Sequence, residues 1–508
     1  MFNKIPENIK EIIRKLETAG FEGFLVGGCV RDLLLNELEL RRASRSESDQ
    51  SVGPKDWDIT TNAKPEEILK IFPEGKYENG FGTVMLPMKY IVKNYSDEMG
   101  DLGVVEITTY RIESKYSDKR HPDEIKFAKT LKEDLSRRDF TINAMAIKIK
   151  NTKQEIVDLF GGQKDLKNKI IRAVGDASER FNEDALRMMR AIRFYSQLGF
   201  MIEEKTFSAI QKNAKNLEYI SQERIRDELE KIILSKTPAK GIELLYESGL
   251  LQYIIPEIEI GYDVTQSHHH YYGPYNTVYK HLIASLEKCP SEKLEVRLAS
   301  LLHDIGKPEV KKGKGENATF YAHEYAGAKI AKKILERMKF SRAVIDKTVL
   351  LVKNHMFYYN TDEVGESGVR RVIRKVGLEN INDLIDVRIA DRLGSGVPKA
   401  VPYKLRHFKF MVEKVSKDAI SVKQLKINGN DLMQELKIAP GPKIGAILDV
   451  LLARVIDDQK LNNKKDLLNL AEELNKKDLN SLRLIAKKKI DEEKKEEEKL
   501  MKKKYWVE

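Results

Sequence analysis

"LVGGCVRDLLL" at residues 25–35, answered by "DWDITT" at residues 56–61, is the stretch on which the fold turns. An apolar run of strand character leads into a glycine pair and then into a leucine-rich run of helical character. Gly27 and Gly28 therefore stand where a strand hands over to a helix, and without Cβ atoms they let a phosphate approach the backbone N–H groups of the helix start. Arg31 adds a cationic clamp one turn on. Asp56 and Asp58 alternate on an expected strand, so both carboxylates leave one face about 7 Å apart. Hard oxygen ligands at that separation suit Mg²⁺ and the phosphoryl-transfer chemistry it supports. Further on, "VVEIT" at residues 104–108 sets Glu106 among apolar neighbours and completes a candidate catalytic set of Asp56, Asp58 and Glu106.

Outward from this core, residues 21–110 alternate strand-like and helical runs, which predicts a small α/β head. Residues 36–55 interrupt it with a polar, serine-rich insertion expected to form a loop. Beyond about residue 150, apolar residues recur at three and four spacing almost to the end, so the remainder is expected to be helical. The 508 residues suggest roughly three to four cores. Lys and Arg total 90 against 79 acidic residues, a net charge of +11, which favours an anionic partner such as nucleic acid or nucleotides. Only Cys29 and Cys289 occur, which excludes a disulfide framework or a cysteine zinc site and suits a reducing cytoplasm. The opening "MFNKIPENIKEIIRKLETAGF" reads as an amphipathic helix and not a signal peptide, and no run of about 18 apolar residues predicts a membrane span.

Further motifs follow in order: "YSDKRHPD", "EDLSRRDFTINAMAI", "RFNEDALRMMRAIRF" and "QERIRDELEKIIL". With the two opening motifs, this set resembles the class II tRNA nucleotidyltransferases and bacterial poly(A) polymerases, a branch of the polymerase-beta-type nucleotidyltransferases. The insertion before Asp56 departs from the short link usual in that family. The resemblance implies Mg²⁺ at Asp56 and Asp58, and nucleotide binding by Gly27, Gly28 and Arg31. It gives Arg137 and Arg138 to the triphosphate or ribose, and Asp139 with Asn143, expected on one helical face, to the ribose hydroxyls. Asp184, Arg187 and Arg190 are expected on one face of a helix, with Arg193 at its edge. Cytosine and adenine each set an amino donor beside a ring-nitrogen acceptor, so an aspartate acceptor beside an arginine donor selects them over guanine and uracil. Glu223, Arg224 and Glu228 are expected to brace that helix. Arg111 and Arg120, in "YRIESKYSDKRHPDEIKF", are candidate contacts of the loop that the final A addition requires.

A second constellation comprises His281, His303, Asp304, His323, His355 and Asp391. With "LLHDIGKP" it resembles the HD-domain metal phosphohydrolases, and its ligands suit Mn, Fe, Ni, Zn or Mg. His268, His269 and His270 read as loop residues before it. The whole predicts an α+β chain: a small mixed-sheet polymerase-beta-type nucleotidyltransferase head over 1–150, then all-helical parts. These are a neck over 151–262, an HD domain over 263–400, a C-terminal module over 401–475 and a charged, solvated helical tail over 476–508. The implied activity is template-independent addition of C, C and A from CTP and ATP to the 3′ end of tRNA, with HD-domain hydrolysis as a second activity. The alternatives are an A-adding enzyme or poly(A) polymerase, and a metal-dependent RNA-end phosphohydrolase with a non-catalytic head.

Overall fold

The computed structural model describes residues 5–40, 54, 56–78, 82–87, 103–114, 124–150, 153–266, 275–361, 363–397, 399–417 and 425–507. The "YSDKRHPD" motif with Arg120, most of the 36–55 insertion, and His268, His269 and His270 lie outside them. The chain is α+β, and it divides into two compact units: residues 1–353 with 394–396, and residues 354–393 with 397–508.

The strands of the first unit are β1 (Phe24–Val26), β2 (Trp57–Thr61), β3 (Lys76–Glu78), β4 (Thr83–Pro87), β5 (Val104–Thr109), β6 (Arg111–Ser114), β7 (Glu124–Phe127), β8 (Met145–Lys150), β9 (Lys153–Asp158), and a short parallel pair, β10 (Ile170–Ile171) and β11 (Met201–Ile202). Seven form one mixed sheet in the order β3-β4-β5-β2-β1-β8-β9, and β6 with β7 make a separate hairpin. Within the large sheet β2 and β5 run parallel, whereas the other pairs are antiparallel. Side chains alternate between the faces, so Val105 and Ile107 are buried while Glu106 between them points the other way. Ile59 and Ile147 join the buried face. Helix α1 (Glu7–Thr18) buries Ile9, Ile12, Ile13 and Leu16, the spacing that gives a helix one apolar stripe, and it packs on β2.

Helix α2 (Gly28–Leu40) leaves the sheet directly from β1. Helix α3 (Pro65–Ile71) is followed by α4 (Leu131–Ser136), whose start is fixed by a reciprocal cap between Thr130 and Glu133. Then come α5 (Gly162–Asn168), α6 (Ala177–Glu183), α7 (Leu186–Leu198), α8 (Glu204–Asn213) and α9 (Gln222–Ile233). Helix α7 is buried nearly all round through Met188, Met189, Ala191 and Ile192, and it packs on α9.

The described part of the second unit is helical, with its own core of Leu432, Ile447, Val450, Leu451, Leu467 and Leu482. Its last helix, Leu479–Tyr505, corrects the expectation of a solvated tail. It packs on helices Pro442–Asp457 and Tyr403–Lys417. Leu482, Met501 and Val507 are buried, and Lys504 and Tyr505 each reach Glu413 at 2.7 Å. Its charged composition concealed these few apolar anchors. Replacing the fully buried Leu451 by Ala leaves a cavity in this core and is expected to cost about 2–5 kcal/mol. Faster amide hydrogen exchange along Pro442–Asp457, with exchange in the first unit unchanged, is the outcome to look for.

Candidate functional site

The site assembles where β1, β2 and β5 present their polar ends. The parallel register sets Asp58 directly opposite Glu106. Burial, reinforced by the Glu106 carboxylate, pushes the Asp58 carboxyl up to about 6, while Arg138 opposes the rise and Asp56 adds to it. Asp56 departs from expectation: it stands exposed just before β2, and only Asp58 lies within the strand. These carboxylates fit a divalent cation, since a positive ion among them relieves the repulsion that raises Asp58.

Gly27 explains the crowding. Its φ of +77° lies in the left-handed region, and a Cβ there would come within 3.1 Å of both the Asp58 carboxylate and the Arg138 guanidinium. The following helix starts at Gly28, and Arg31 bonds Asn143 Oδ1 at 3.0 Å and Asp32 at 2.8 Å. Its guanidinium also lies 5.2 Å from the centre of the Phe194 ring, which Arg190 approaches to 5.6 Å and Arg193 to 4.4 Å.

Arg137 and Arg138 are tethered by Asp134, a residue that sequence reasoning passed over. Fully buried on α4, Asp134 accepts from Arg137 Nη2 and Arg138 Nη2, each at 3.2 Å, and from Thr60 Oγ1 at 3.4 Å. Burial opposes its charge, but Arg138 and Arg137 hold the carboxyl below its ordinary range. The signal was available in "EDLSRRD", where this aspartate precedes the two arginines by three and four residues.

Asp139 and Asn143 do not share a helix. Helix α4 ends at Ser136, Asp139 follows in a bend, and Asn143 closes a 3-10 turn over Thr141–Asn143. They still meet, with Asn143 Nδ2 donating to Asp139 Oδ1 at 3.1 Å. The same oxygen accepts from its neighbour, the backbone N–H of Phe140, at 2.8 Å, a local bond that competes with helix continuation. The other oxygen takes Arg190 Nε at 2.8 Å and Nη2 at 2.6 Å. Burial works against the charge, yet Arg190 and Asn143 bring the Asp139 carboxyl down to about 2.

Asp184 is likewise not on the helix of Arg187 and Arg190. It ends α6 in an extended conformation, and α7 begins at Leu186. Its Oδ1 accepts from the Leu186 backbone N–H at 3.1 Å and its Oδ2 from Arg224 Nη2 at 2.7 Å. Arg187 bonds Glu183 Oε2 at 2.8 Å. Arg193 is buried against Glu228 at 3.0 Å, tying α7 to α9.

A cavity of about 320 Å³ joins these groups. Asp58 and Glu106 line it at one side, with Arg111, Arg137, Arg138 and Asp139, and Asp184, Arg187, Arg190 and Arg224 complete it. Arg193, Arg31 and the two glycines are not among its lining residues. Arg224, expected only to brace, both holds Asp184 and faces the cavity. The lining thus combines carboxylates fit for a cation with guanidinium groups fit for phosphates and a base edge.

The second constellation is compact around Asp304. His303 caps the helix Leu294–Leu302, and Asp304 lies in the turn after it, not on the helix. Nε2 of His281 and of His303 each lie 3.3 Å from Asp304 Oδ2, and Nε2 of His323 lies 3.0 Å from Oδ1. Nδ1 of His303 faces the Ser300 carbonyl at 2.9 Å, and Nδ1 of His323 faces the Phe320 carbonyl at 2.8 Å. Nδ1 donation to those carbonyls turns Nε2 of each ring towards the Asp304 carboxylate, the orientation in which imidazoles and carboxylate would share one cation. Lys307, also missed from sequence, sets its ammonium 2.5 Å from Asp304 Oδ2. Burial disfavours the Asp304 charge, but Lys307 and the histidines hold its carboxyl well below the usual range. His355, buried, and Asp391, paired with Arg388 at 2.8 Å, belong to the second compact unit.

Residues 23–172 match the poly A polymerase head domain, residues 199–260 the domain described as a probable RNA and SrmB- binding site of polymerase A, and residues 277–395 the HD domain. A CCA-adding enzyme of Ligilactobacillus salivarius (strain UCC118) is 34% identical over 485 residues, which are 92% of this chain and 98% of that protein. One from Limosilactobacillus reuteri (strain DSM 20016) is 33% identical over 483 residues, 93% and 98% of the two chains. The crystal structure of the Bacillus stearothermophilus CCA-adding enzyme in complex with CTP superposes with a TM-score of 0.57 at 26% identity, covering 93% of this chain and 98% of that one.

The Asp139–Arg190 pair gives a pH signature. Because the folded carboxyl titrates near 2, below its unfolded value, the pair contributes stability that is full above about pH 4 and is lost as pH falls towards 2. Asp139→Asn is expected to cost on the order of 2 kcal/mol at neutral pH. Thermal melts should show the gap to wild type closing between about pH 4 and pH 2. A gap independent of pH contradicts the assignment.

Proposed function

Since the chain belongs to the family of CCA-adding enzymes, we propose that it adds C, C and A in turn from CTP and ATP to the 3′ end of tRNA without a nucleic-acid template. The observation that carries this reading is the single cavity in which Asp58 and Glu106 share walls with Arg137, Arg138, Asp184 and Arg187. Its volume falls at the low end of the usual range for small-molecule sites. In each cycle the terminal 3′ hydroxyl of tRNA attacks the α-phosphate of the incoming nucleotide, the new phosphodiester forms, and pyrophosphate leaves.

Asp56, Asp58 and Glu106 would hold Mg²⁺, which supplies Lewis-acid neutralisation of the phosphate oxygens and acidifies the attacking hydroxyl. Gly27 leaves room for Asp58 and Arg138 to approach each other beside the phosphates. Arg137 and Arg138, held by Asp134, present fixed cations to the triphosphate, and Arg31 is linked through Asn143 to Asp139. Asp139 reads the ribose while Arg190 keeps it ionised. Asp184 and Arg187 read the base edge. A carboxylate offers about four acceptor positions, so the bonds from Leu186 and Arg224 orient Asp184 and still leave it able to accept the amino group of C or A. Arg193 supports the helix through Glu228 and Phe194.

The set of His281, His303, Asp304 and His323 supports a second divalent ion, with Mn, Fe, Ni, Zn and Mg all compatible with its donors. We propose hydrolysis of a phosphomonoester or a 2′,3′-cyclic phosphate as the activity of that site. The proposed division is a head (1–150), neck (151–262), HD domain (263–400), C-terminal module (401–475) and tail (476–508), but β9 carries the head sheet past residue 150, so the stretch after it is not all helical. Among the described residues no helix is long and apolar enough to cross a membrane, and tRNA as substrate fits a cytoplasmic setting.

With tRNA lacking its last three nucleotides, labelled CTP should be incorporated first and labelled ATP only after it. Asp58→Asn should lower both by at least about 100-fold. Incorporation of ATP alone would identify an A-adding enzyme or poly(A) polymerase instead.

A further inference from the structure

The second compact unit carries its own cavity, of about 310 Å³, distinct from the nucleotide cavity of the first. One wall is aromatic and fixed: the Phe408 ring centre lies 4.8 Å from that of Phe357 and 5.0 Å from that of Tyr359. The Tyr359 hydroxyl stands 2.5 Å from His407 Nδ1, which pins that ring. Tyr358 lines the cavity too and is 65% exposed. The remaining polar lining is cationic, from Arg388, Arg392 and Lys404, and none of the lining residues is acidic. Asp391 balances Arg388, whereas the buried Nε of Arg392 has no hydrogen-bond partner among the described residues.

Those features select a ligand class. A purely apolar occupant would desolvate the Arg392 and Lys404 cations without a counter-charge, and a small inorganic anion would make no use of the rings. A nucleobase stacks on aromatic faces whatever its identity, and its phosphate takes guanidinium and ammonium donors. We propose that this cavity binds a nucleoside phosphate, with the base on the tyrosine and phenylalanine rings and the phosphate on Arg392, Arg388 and Lys404. Arg388 and Arg392 belong to the same helical turn as Asp391, so the cationic end of the cavity is built from the stretch of chain that supplies the last residue of the HD constellation. The proposal stands independently of the activity assigned to the head.

The source of that ligand is either a free mononucleotide or a unit of single-stranded RNA, and two probes separate them. Uracil is used because the head is read as selecting C and A. Fluorescein-labelled hexauridylate is titrated into the full chain by anisotropy, and UMP is then added as competitor. Tyr358→Ser and Lys404→Glu alter exposed side chains, so the fold should persist. Each is expected to weaken hexauridylate binding about tenfold, with Lys404→Arg restoring it and CTP uptake at the head unchanged. Displacement by UMP at concentrations matching the hexamer identifies the free nucleotide as ligand. Displacement only at far higher concentrations identifies the RNA strand. If wild type binds neither probe, or if both variants bind as wild type does while CTP uptake is normal, the proposal is overturned.

Discussion

The parallel pairing of β2 with β5 is the constraint on which the rest of the head depends. It brings Asp58 and Glu106 side by side from strands separated by many residues in the chain, on the face of the sheet away from its apolar core. Two carboxylates so placed repel each other, and burial sharpens the penalty, as the raised Asp58 carboxyl reports. A sheet built only for stability would not place charge there. The arrangement suits the proposed cation seat: the folding energy of the surrounding sheet holds the acids where a divalent ion would compensate them.

Around that seat the structure distributes opposite charge by buried tethers. Asp134 holds Arg137 and Arg138, Asp139 holds Arg190, and Glu228 holds Arg193. Each buried acid is compensated by guanidinium donors, which is the condition for keeping a charge out of water. The tethers also bridge the sheet region to the helices that follow, since Asp139 lies just after α4 and Arg190 on α7. The groups lining the cavity are thereby fixed relative to one another. That preorganisation lowers the reorganisation the site must undergo during transfer.

Much of this was legible in the sequence because alternation and helical spacing are local properties. Asp58 and Glu106 stood out as acids inside apolar strands, and Gly27 and Gly28 as a strand-to-helix junction. What local reasoning missed were interruptions made by side chains. Asp139 and Asp184 each bond a nearby backbone N–H, which stops or delays a helix that the uninterrupted periodicity of "SRRDFTIN" and "EDALRMMRAIRF" had predicted to run through. No glycine or proline marked those breaks. The destination of Asp134 was equally hidden, because its contact with Thr60 depends on the sheet being formed. The closing helix was misread for a different reason: a few apolar anchors among many lysines and glutamates decide its packing, while composition averages them away.

We infer that the facing acids form a cation seat required for nucleotide uptake. Calorimetric titration of CTP with and without Mg²⁺ tests it most directly, in wild type and in Glu106→Gln, which removes one charge while keeping the side-chain shape. CTP uptake should require Mg²⁺ in wild type and lose most of that requirement, together with affinity, in the variant. Equal CTP uptake in the absence of Mg²⁺, or a variant indistinguishable from wild type, would contradict it.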